Sequence, residues 1–314
     1  MKILLLRAEE PKVHMVEQRH LDQIERVDPS VEFVKHIADA EVLVGFPGDL
    51  ASISLSKATN VKWLHSFSAG MEKVLTPELK ESDIIVSNSS GVHAIPIAEH
   101  VLGFILIFAK KFYQSFQNQQ QKHWQTLHGM SEIRDSTLLV VGLGHIGKEI
   151  AKVAAGAGMR VIAVDRIGIG KPEFVQELYG TEHIREALPK ADYVALALPY
   201  TKATHHLLDI TKFRIMKKSA VIINIGRGAV VDEGELVEAL QQGVIAGAAL
   251  DVMEEEPLPQ DSPLWHMDNV VITPHHSSHT TQCTDRTIDL FCENLKAYIQ
   301  RKILPNLVDK QKGY

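Results

Sequence analysis

Residues 138–165 read LLVVGLGHIGKEIAKVAAGAGMRVIAVD. An apolar run over 138–141 is followed at once by Gly142, Gly144 and Gly147, in the spacing G-x-G-x-x-G. Ile146, Ile150, Val153 and Ala154 then recur at helical intervals, and a second apolar run over 161–164 closes on Asp165. Strand, tight turn, helix and strand within about thirty residues make one βαβ unit.

The residue types at the turn suit a dinucleotide. Gly142 allows a sharp reversal, Gly144 leaves no Cβ in the way of a pyrophosphate, and Gly147 lets the helix pack close to the strand. The phosphates would sit at the helix N-terminus, where unpaired N–H groups and the dipole favour an anion. Asp165 can accept both adenosine ribose hydroxyls and would repel a 2′-phosphate, which favours NAD. Arg166 beside it offers that phosphate a cation, so NADP stays open.

At 314 residues the chain predicts two domains. Its 33 basic and 39 acidic side chains leave a net charge of -6, which provides no electrostatic footprint for nucleic acid or an anionic membrane. The apolar stretch 101–109 is bounded by Glu99, His100, Lys110 and Lys111 and is about half the length of a membrane span, so it reads as a buried helix. The N-terminal apolar run is too short for a signal peptide. Cys283 and Cys292 have neither disulfide nor metal-ligand spacing and read as reduced thiols, the usage of a cytoplasmic protein.

Before residue 91, short apolar runs at 3–6, 31–34, 42–44, 61–65 and 84–87 alternate with helical or polar stretches such as 12–26 and 50–58. That alternation predicts a parallel sheet without a nucleotide fingerprint, so this part reads as the substrate domain. Ser66, Phe67, Ser68, Ala69 and Gly70 follow one strand, and the small residues among them expose backbone N–H groups in a nest suited to a carboxylate. The loop 45–49 carries no lysine or arginine, which argues against a phosphorylated substrate. Pro96 can open a helix running through 101–112. Further strands are expected at 193–198, 220–225, 245–250 and 270–273, with Asp232 and Glu235 as an acidic capping box and a last helix over 284–299.

Arg227, Glu256 and His275 stand just beyond the ends of successive expected strands, where open parallel sheets bind ligands. A nicotinamide cofactor carries hydride chemistry but neither holds a 2-oxo acid nor protonates its oxygen. Arg227, between Gly226 and Gly228, can grip a carboxylate or keto oxygen through paired donors. His275 can exchange a proton with the carbonyl oxygen. Glu256 can fix the imidazole tautomer and stabilise imidazolium, and Asp251 can accept from the nicotinamide carboxamide. His275, His276 and His279 also admit a metal reading, but no carboxylate or cysteine cluster accompanies them in the sequence, so no metal is expected.

The sequence resembles the D-isomer-specific 2-hydroxyacid dehydrogenases over nearly its whole length. The resemblance rests on VVGLGHIG, INIGRGAVVDEGELVEAL, GAALDVMEEEPL and NVVITPHHSSHT, in that order and spacing. It implies an α/β protein of two doubly wound parallel-sheet domains. A Rossmann cofactor domain, 93–279, would be inserted into a flavodoxin-like substrate domain, 1–92 with 280–314. Arg227, Glu256 and His275 fall on the catalytic positions, and the substrate carboxylate on the backbone of Ser68, Ala69 and Gly70. The implied nucleotide contacts add His145, Ile146, Pro199, Thr204, Ile225, Gly226 and Asp251. A homodimer with the Pro96 helix at its interface is also implied. The branch most resembled is glyoxylate and hydroxypyruvate reductase. A D-3-phosphoglycerate dehydrogenase is the alternative enzyme, and an NAD(H)-sensing interaction protein on the same fold is the alternative from another class.

Overall fold

The computed structural model describes residues 1–6, 16–166 and 170–313. The chain divides into two compact units, Met1–His93 with His279–Tyr314, and Ala94–Ser278.

The first unit is built on strands β1 (Lys2–Leu5), β2 (Glu32–Phe33), β3 (Val42–Gly45), β4 (Trp63–Ser66) and β5 (Ile85–Asn88), all parallel, in the order β2-β1-β3-β4-β5. This is the flavodoxin-like winding, and β3 and β4 are buried along their whole length, β3 reading as an unbroken apolar run while β4 ends on the polar His65 and Ser66. The closing helix Thr281–Ile299 packs on helix Gln18–Val27. It drives Phe291 against Trp63, with ring centroids 5.4 Å apart, and Tyr298 stacks on the same indole at 4.9 Å. Such aromatic pairs each add about 0.5–1.5 kcal/mol beyond the area they bury. Of the helical or polar stretch expected over 12–26, the part before residue 16 lies outside the described residues.

The second unit contains β6 (Thr137–Val141), β7 (Arg160–Asp165), β8 (Glu177–Gly180), β9 (Tyr193–Leu196), β10 (Val221–Asn224), β11 (Gly247–Leu250) and β12 (Val270–Ile272). They form one parallel sheet in the order β12-β11-β10-β9-β6-β7-β8. That is the Rossmann winding with a seventh strand, and the order reverses between β6 and β9, the kind of switch point at which open parallel sheets bind ligands. Apolar side chains fill both faces, one around Leu139, Val194, Ile222 and Phe213, the other around Val140, Ala195, Ile223 and Phe104. Helix Ala94–Ala109 belongs to the second face, and among the described residues no helix is long and apolar enough to cross a membrane.

Several local expectations shift for identifiable reasons. The helix expected to open at Pro96 starts at Ala94, so the proline falls in the first turn, where its missing N–H also lacks a partner. It stops at Ala109, since Lys111 adopts a left-handed backbone with φ 52°, and Phe112–Gln120 forms a separate helix. The stretch 50–58 holds only the end of the helix Pro47–Ala51 and a short 3-10 turn, Leu55–Lys57. Asp232 does cap helix Glu233–Gln241, accepting Glu235 N–H, but the Glu235 carboxylate accepts from Ile210 N–H at 2.7 Å and closes no capping box.

Candidate active site

The turn between β6 and helix His145–Gly156 has the shape its glycines require. Gly142 has φ 98°, and a methyl group on Gly147 would collide with the Gly142 carbonyl oxygen. At Gly144 the same methyl would meet nothing within 4 Å, so the helix N-terminus opens onto unfilled space. His145 is exposed and Ile146 half-buried at that opening. Asp165 ends β7 with its carboxylate buried; one oxygen accepts Leu143 N–H and the other accepts Arg166 N–H at 2.5 Å. Asp165 therefore pins the glycine turn, a job invisible in the sequence. After β9, Thr204 Oγ1 donates to Pro199 O at 2.8 Å and accepts Thr201 N–H, tightening the loop that follows the strand. An open cradle at a helix N-terminus beside an acid at the neighbouring strand end fits a dinucleotide.

Arg227, Glu256 and His275 leave the ends of three adjacent strands, β10, β11 and β12. Ile225 and Gly226 are buried at the root of the first loop, which the buried Asn224 holds in two directions, donating to Arg227 O at 3.0 Å and accepting Gly226 N–H at 3.2 Å. The loop lies so close to its neighbour that a methyl group on Gly228 would overlap the Met253 carbonyl. Arg227 Nη1 donates to Gly226 O at 2.8 Å. Glu256 Oε1 accepts Met253 N–H at 3.2 Å, and Oε2 lies 2.8 Å from His275 Nδ1. With Nδ1 committed to a carboxylate, Nε2 is the nitrogen left for a substrate proton.

His275 itself has φ 49°. That left-handed turn is held by Asp251, whose carbonyl accepts His275 N–H at 2.8 Å and whose buried carboxylate accepts His276 N–H at 3.0 Å and Ser277 N–H at 3.1 Å. Thr273 Oγ1 donates to the same carboxylate at 2.5 Å, and His100 Nε2 is 3.1 Å from Thr273 Oγ1. These donors lower the Asp251 pKa against a desolvation that would raise it. The sequence offered Asp251 only as a cofactor contact; its place in this turn shows in the hydrogen bonds alone. Among the described residues, His100, Asp251 and His276 bring ligand-type atoms within 4.8 Å of one another, but the carboxylate already accepts from three donors, Thr273 O–H and the His276 and Ser277 N–H groups.

In the first unit, Ser68 N–H donates to Ser66 Oγ at 3.3 Å. Among the described residues none accepts from the N–H groups of Ala69 and Gly70. Ala69 and Gly70 thus present two successive backbone donors on a half-buried loop, the kind of feature that can hold an anion.

The doubly wound sheet and its glycine turn define a dinucleotide-binding oxidoreductase fold with an imidazole–carboxylate pair and an arginine at the ligand end. A family model described as "D-isomer specific 2-hydroxyacid dehydrogenase, NAD binding domain" matches residues 102–277. A glyoxylate reductase of Aeropyrum pernix is 36% identical over 267 residues, covering 82% of this chain and 79% of that one. A D-isomer specific 2-hydroxyacid dehydrogenase family protein from Aeromonas salmonicida superposes with a TM-score of 0.87 at 29% identity, over 98% of this chain and 99% of the other. A D-isomer specific 2-hydroxyacid dehydrogenase from Xanthobacter autotrophicus, solved with NADPH and MES, gives a TM-score of 0.84 at 25% identity over 99% of each. The chain belongs to the D-isomer specific 2-hydroxyacid dehydrogenase family and is an NAD(P)-binding oxidoreductase.

Proposed function

We propose that the protein reduces a small, unphosphorylated 2-oxo acid of the glyoxylate or hydroxypyruvate kind to the D-2-hydroxy acid. The observation that carries the reading is the 2.8 Å pairing of His275 with Glu256, one strand away from Arg227. A bound nicotinamide nucleotide supplies the hydride. Arg227 holds the oxo acid through its guanidinium, and the Ala69 and Gly70 amides take its carboxylate. His275 delivers a proton from Nε2 to the carbonyl oxygen as that oxygen gains charge, while Glu256 keeps the ring oriented through Nδ1. Residues 93–279 serve the nucleotide, and 1–92 with 280–314 serve the substrate.

The enzyme works as a cytoplasmic homodimer in this reading. Both cysteines are buried and free. Exposed Phe112, Phe116, Trp124 and Met130 on the second unit offer an apolar surface that a second copy would cover. Light scattering at micromolar concentration should give twice the monomer mass of 34.9 kDa.

The decisive assay follows oxidation of NADH and NADPH with glyoxylate, hydroxypyruvate, pyruvate and 3-phosphohydroxypyruvate. Turnover of an unphosphorylated acid supports the proposal. Turnover confined to the phosphorylated acid moves the assignment to a phosphoglycerate dehydrogenase, and tight NADH binding without any turnover moves it to a sensing protein.

A further inference from the structure

Beneath the loop that carries Ala69 and Gly70 runs a buried polar chain that the reaction itself does not use. Trp63 Nε1 can only donate, and it donates to Ser87 Oγ at 2.8 Å. Ser87 has one hydroxyl proton left to give, and His65 Nδ1 stands 2.8 Å away as its acceptor. At the other side of the ring, His65 Nε2 is 3.3 Å from Ser89 Oγ, and Ser89 Oγ is 3.0 Å from the Ser66 carbonyl, which can only accept. The Ser89 proton therefore goes to Ser66 O, and His65 Nε2 must carry the proton that points at Ser89. Every donor and acceptor is satisfied in one direction, from Trp63 through Ser87, His65 and Ser89 to Ser66, with a neutral imidazole in a single tautomer. His65, Ser66, Ser87 and Ser89 are all fully buried. A protonated ring would leave the Ser87 hydroxyl without an acceptor and a charge without a counterion.

The chain ties the end of β4 to the end of β5, and from β5 two more bonds reach the loop. Asn88 Nδ2 donates to Ala69 O at 2.9 Å, and Ser89 N–H donates to Ser68 O at 3.2 Å. Asn88 is itself held, its Oδ1 accepting Ser90 N–H at 3.1 Å and its N–H donating to Asn306 O at 3.2 Å. A trans peptide is planar, with its C=O and N–H on opposite edges. Ser68 O shares a peptide with Ala69 N–H, and Ala69 O shares one with Gly70 N–H. Anchoring both carbonyls toward the β5 loop thus turns both N–H groups the other way, out of the loop.

We infer that Asn88 and Ser89, steadied by His65, are positioning residues that aim the Ala69 and Gly70 amides at the substrate carboxylate. This rests on the carboxylate reading given above. The clamp fixes two donors before substrate arrives, so that binding does not have to order the loop.

The test compares Asn88→Ala, His65→Leu and His65→Gln with the wild-type enzyme in steady state, and records amide NMR shifts of the NADH-bound protein on adding oxamate, a carboxylate-bearing mimic of the oxo acid. In the wild type, oxamate should shift the Ala69 and Gly70 amides. Asn88→Ala and His65→Leu should raise KM for the oxo acid about tenfold, the scale of one hydrogen bond to a charged group, with kcat and KM for NADH nearly unchanged. His65→Gln, which keeps a donor and an acceptor, should recover most of that loss. If oxamate shifts those amides and Asn88→Ala and His65→Leu keep the wild-type KM, the clamp is refuted and the carboxylate reading stands. If oxamate leaves the wild-type amides unmoved, the carboxylate reading falls and takes the clamp with it. Should Asn88→Ala fail to fold, the contrast between His65→Leu and His65→Gln still decides, because equal KM values in both would overturn the role of His65.

Discussion

His275 Nδ1 lies 2.8 Å from Glu256 Oε2, although 19 residues separate them, and the other Glu256 oxygen is fastened to Met253 N–H. The acid that orients the imidazole is thus itself oriented by the loop from which it hangs. His275→Ala should lower kcat by about 10²–10⁴-fold, the usual worth of a positioned proton donor, and leave NADH affinity intact. Glu256→Gln keeps an acceptor but loses the charge, and should cost about tenfold. Stopped-flow NADH binding beside steady-state rates separates the two effects; a parallel loss of NADH affinity would contradict the assignment.

Gly228 permits the backbone contact between the Arg227 loop and Met253. Gly228→Ala must push the two loops apart and should destabilise the protein by about 1–3 kcal/mol while lowering turnover. Gly234→Ala is the control: in the helix Glu233–Gln241 its methyl group would meet only Asp232 Oδ1 at 3.6 Å. That variant should gain about 0.5–1 kcal/mol. Urea unfolding of both checks the contrast.

Asp165 ends β7 beside the glycine turn, and Arg166 follows it. Asp165→Ser should raise the ratio of kcat/KM for NADPH over NADH by about tenfold through removal of a repelling charge. Arg166→Ala should lower that ratio. An unchanged ratio in both variants would place the discrimination elsewhere.

Two histidines should give stability a pH dependence of opposite sign. Burial pushes the His65 pKa down to about 3. The unfolded chain therefore takes up a proton below the ordinary 6.5 that the folded one refuses, and stability is lost as pH falls from 6.5 toward 3, by at most about 1.4 kcal/mol per pH unit. His206 lies between Glu254 Oε1 at 2.8 Å and Asp232 Oδ2 at 3.2 Å, and the hydrogen bond to Glu254 raises its pKa. Its contribution is full below 6.5 and disappears as pH rises through the raised value. Melting temperatures of His65→Gln and His206→Gln against wild type from pH 5 to 9 should show the wild-type deficit at the acidic end for His65 and the wild-type advantage there for His206.

What the sequence made readable was whatever repeats locally. The glycine triplet, the buried runs of β6, β9 and β10, and the polar residues set just past strand ends follow from short-range periodicity, and the parallel order followed from their alternation with helices. Glu177, Leu178, Tyr179 and Gly180 escaped notice as β8, since an edge strand whose residues are all half-buried shows no apolar run. Glu235 matched a capping pattern, yet its carboxylate found Ile210, 25 residues away. The clasp of His100 and Thr273 on Asp251 and the chain through His65 join residues on different elements, and no spacing rule announces such partners.

Arg227, Glu256 and His275 hang from three neighbouring strands of one parallel ladder, so the sheet acts as a ruler with a graduation of about 4.8 Å between strands. The spacing between the functional groups is set by backbone hydrogen bonding, which side-chain replacement in the loops does not disturb. A lineage could retune each loop separately, exchanging one group's chemistry without losing register with the other two, whereas a slip of a single strand would put the group it carries out of step with the others.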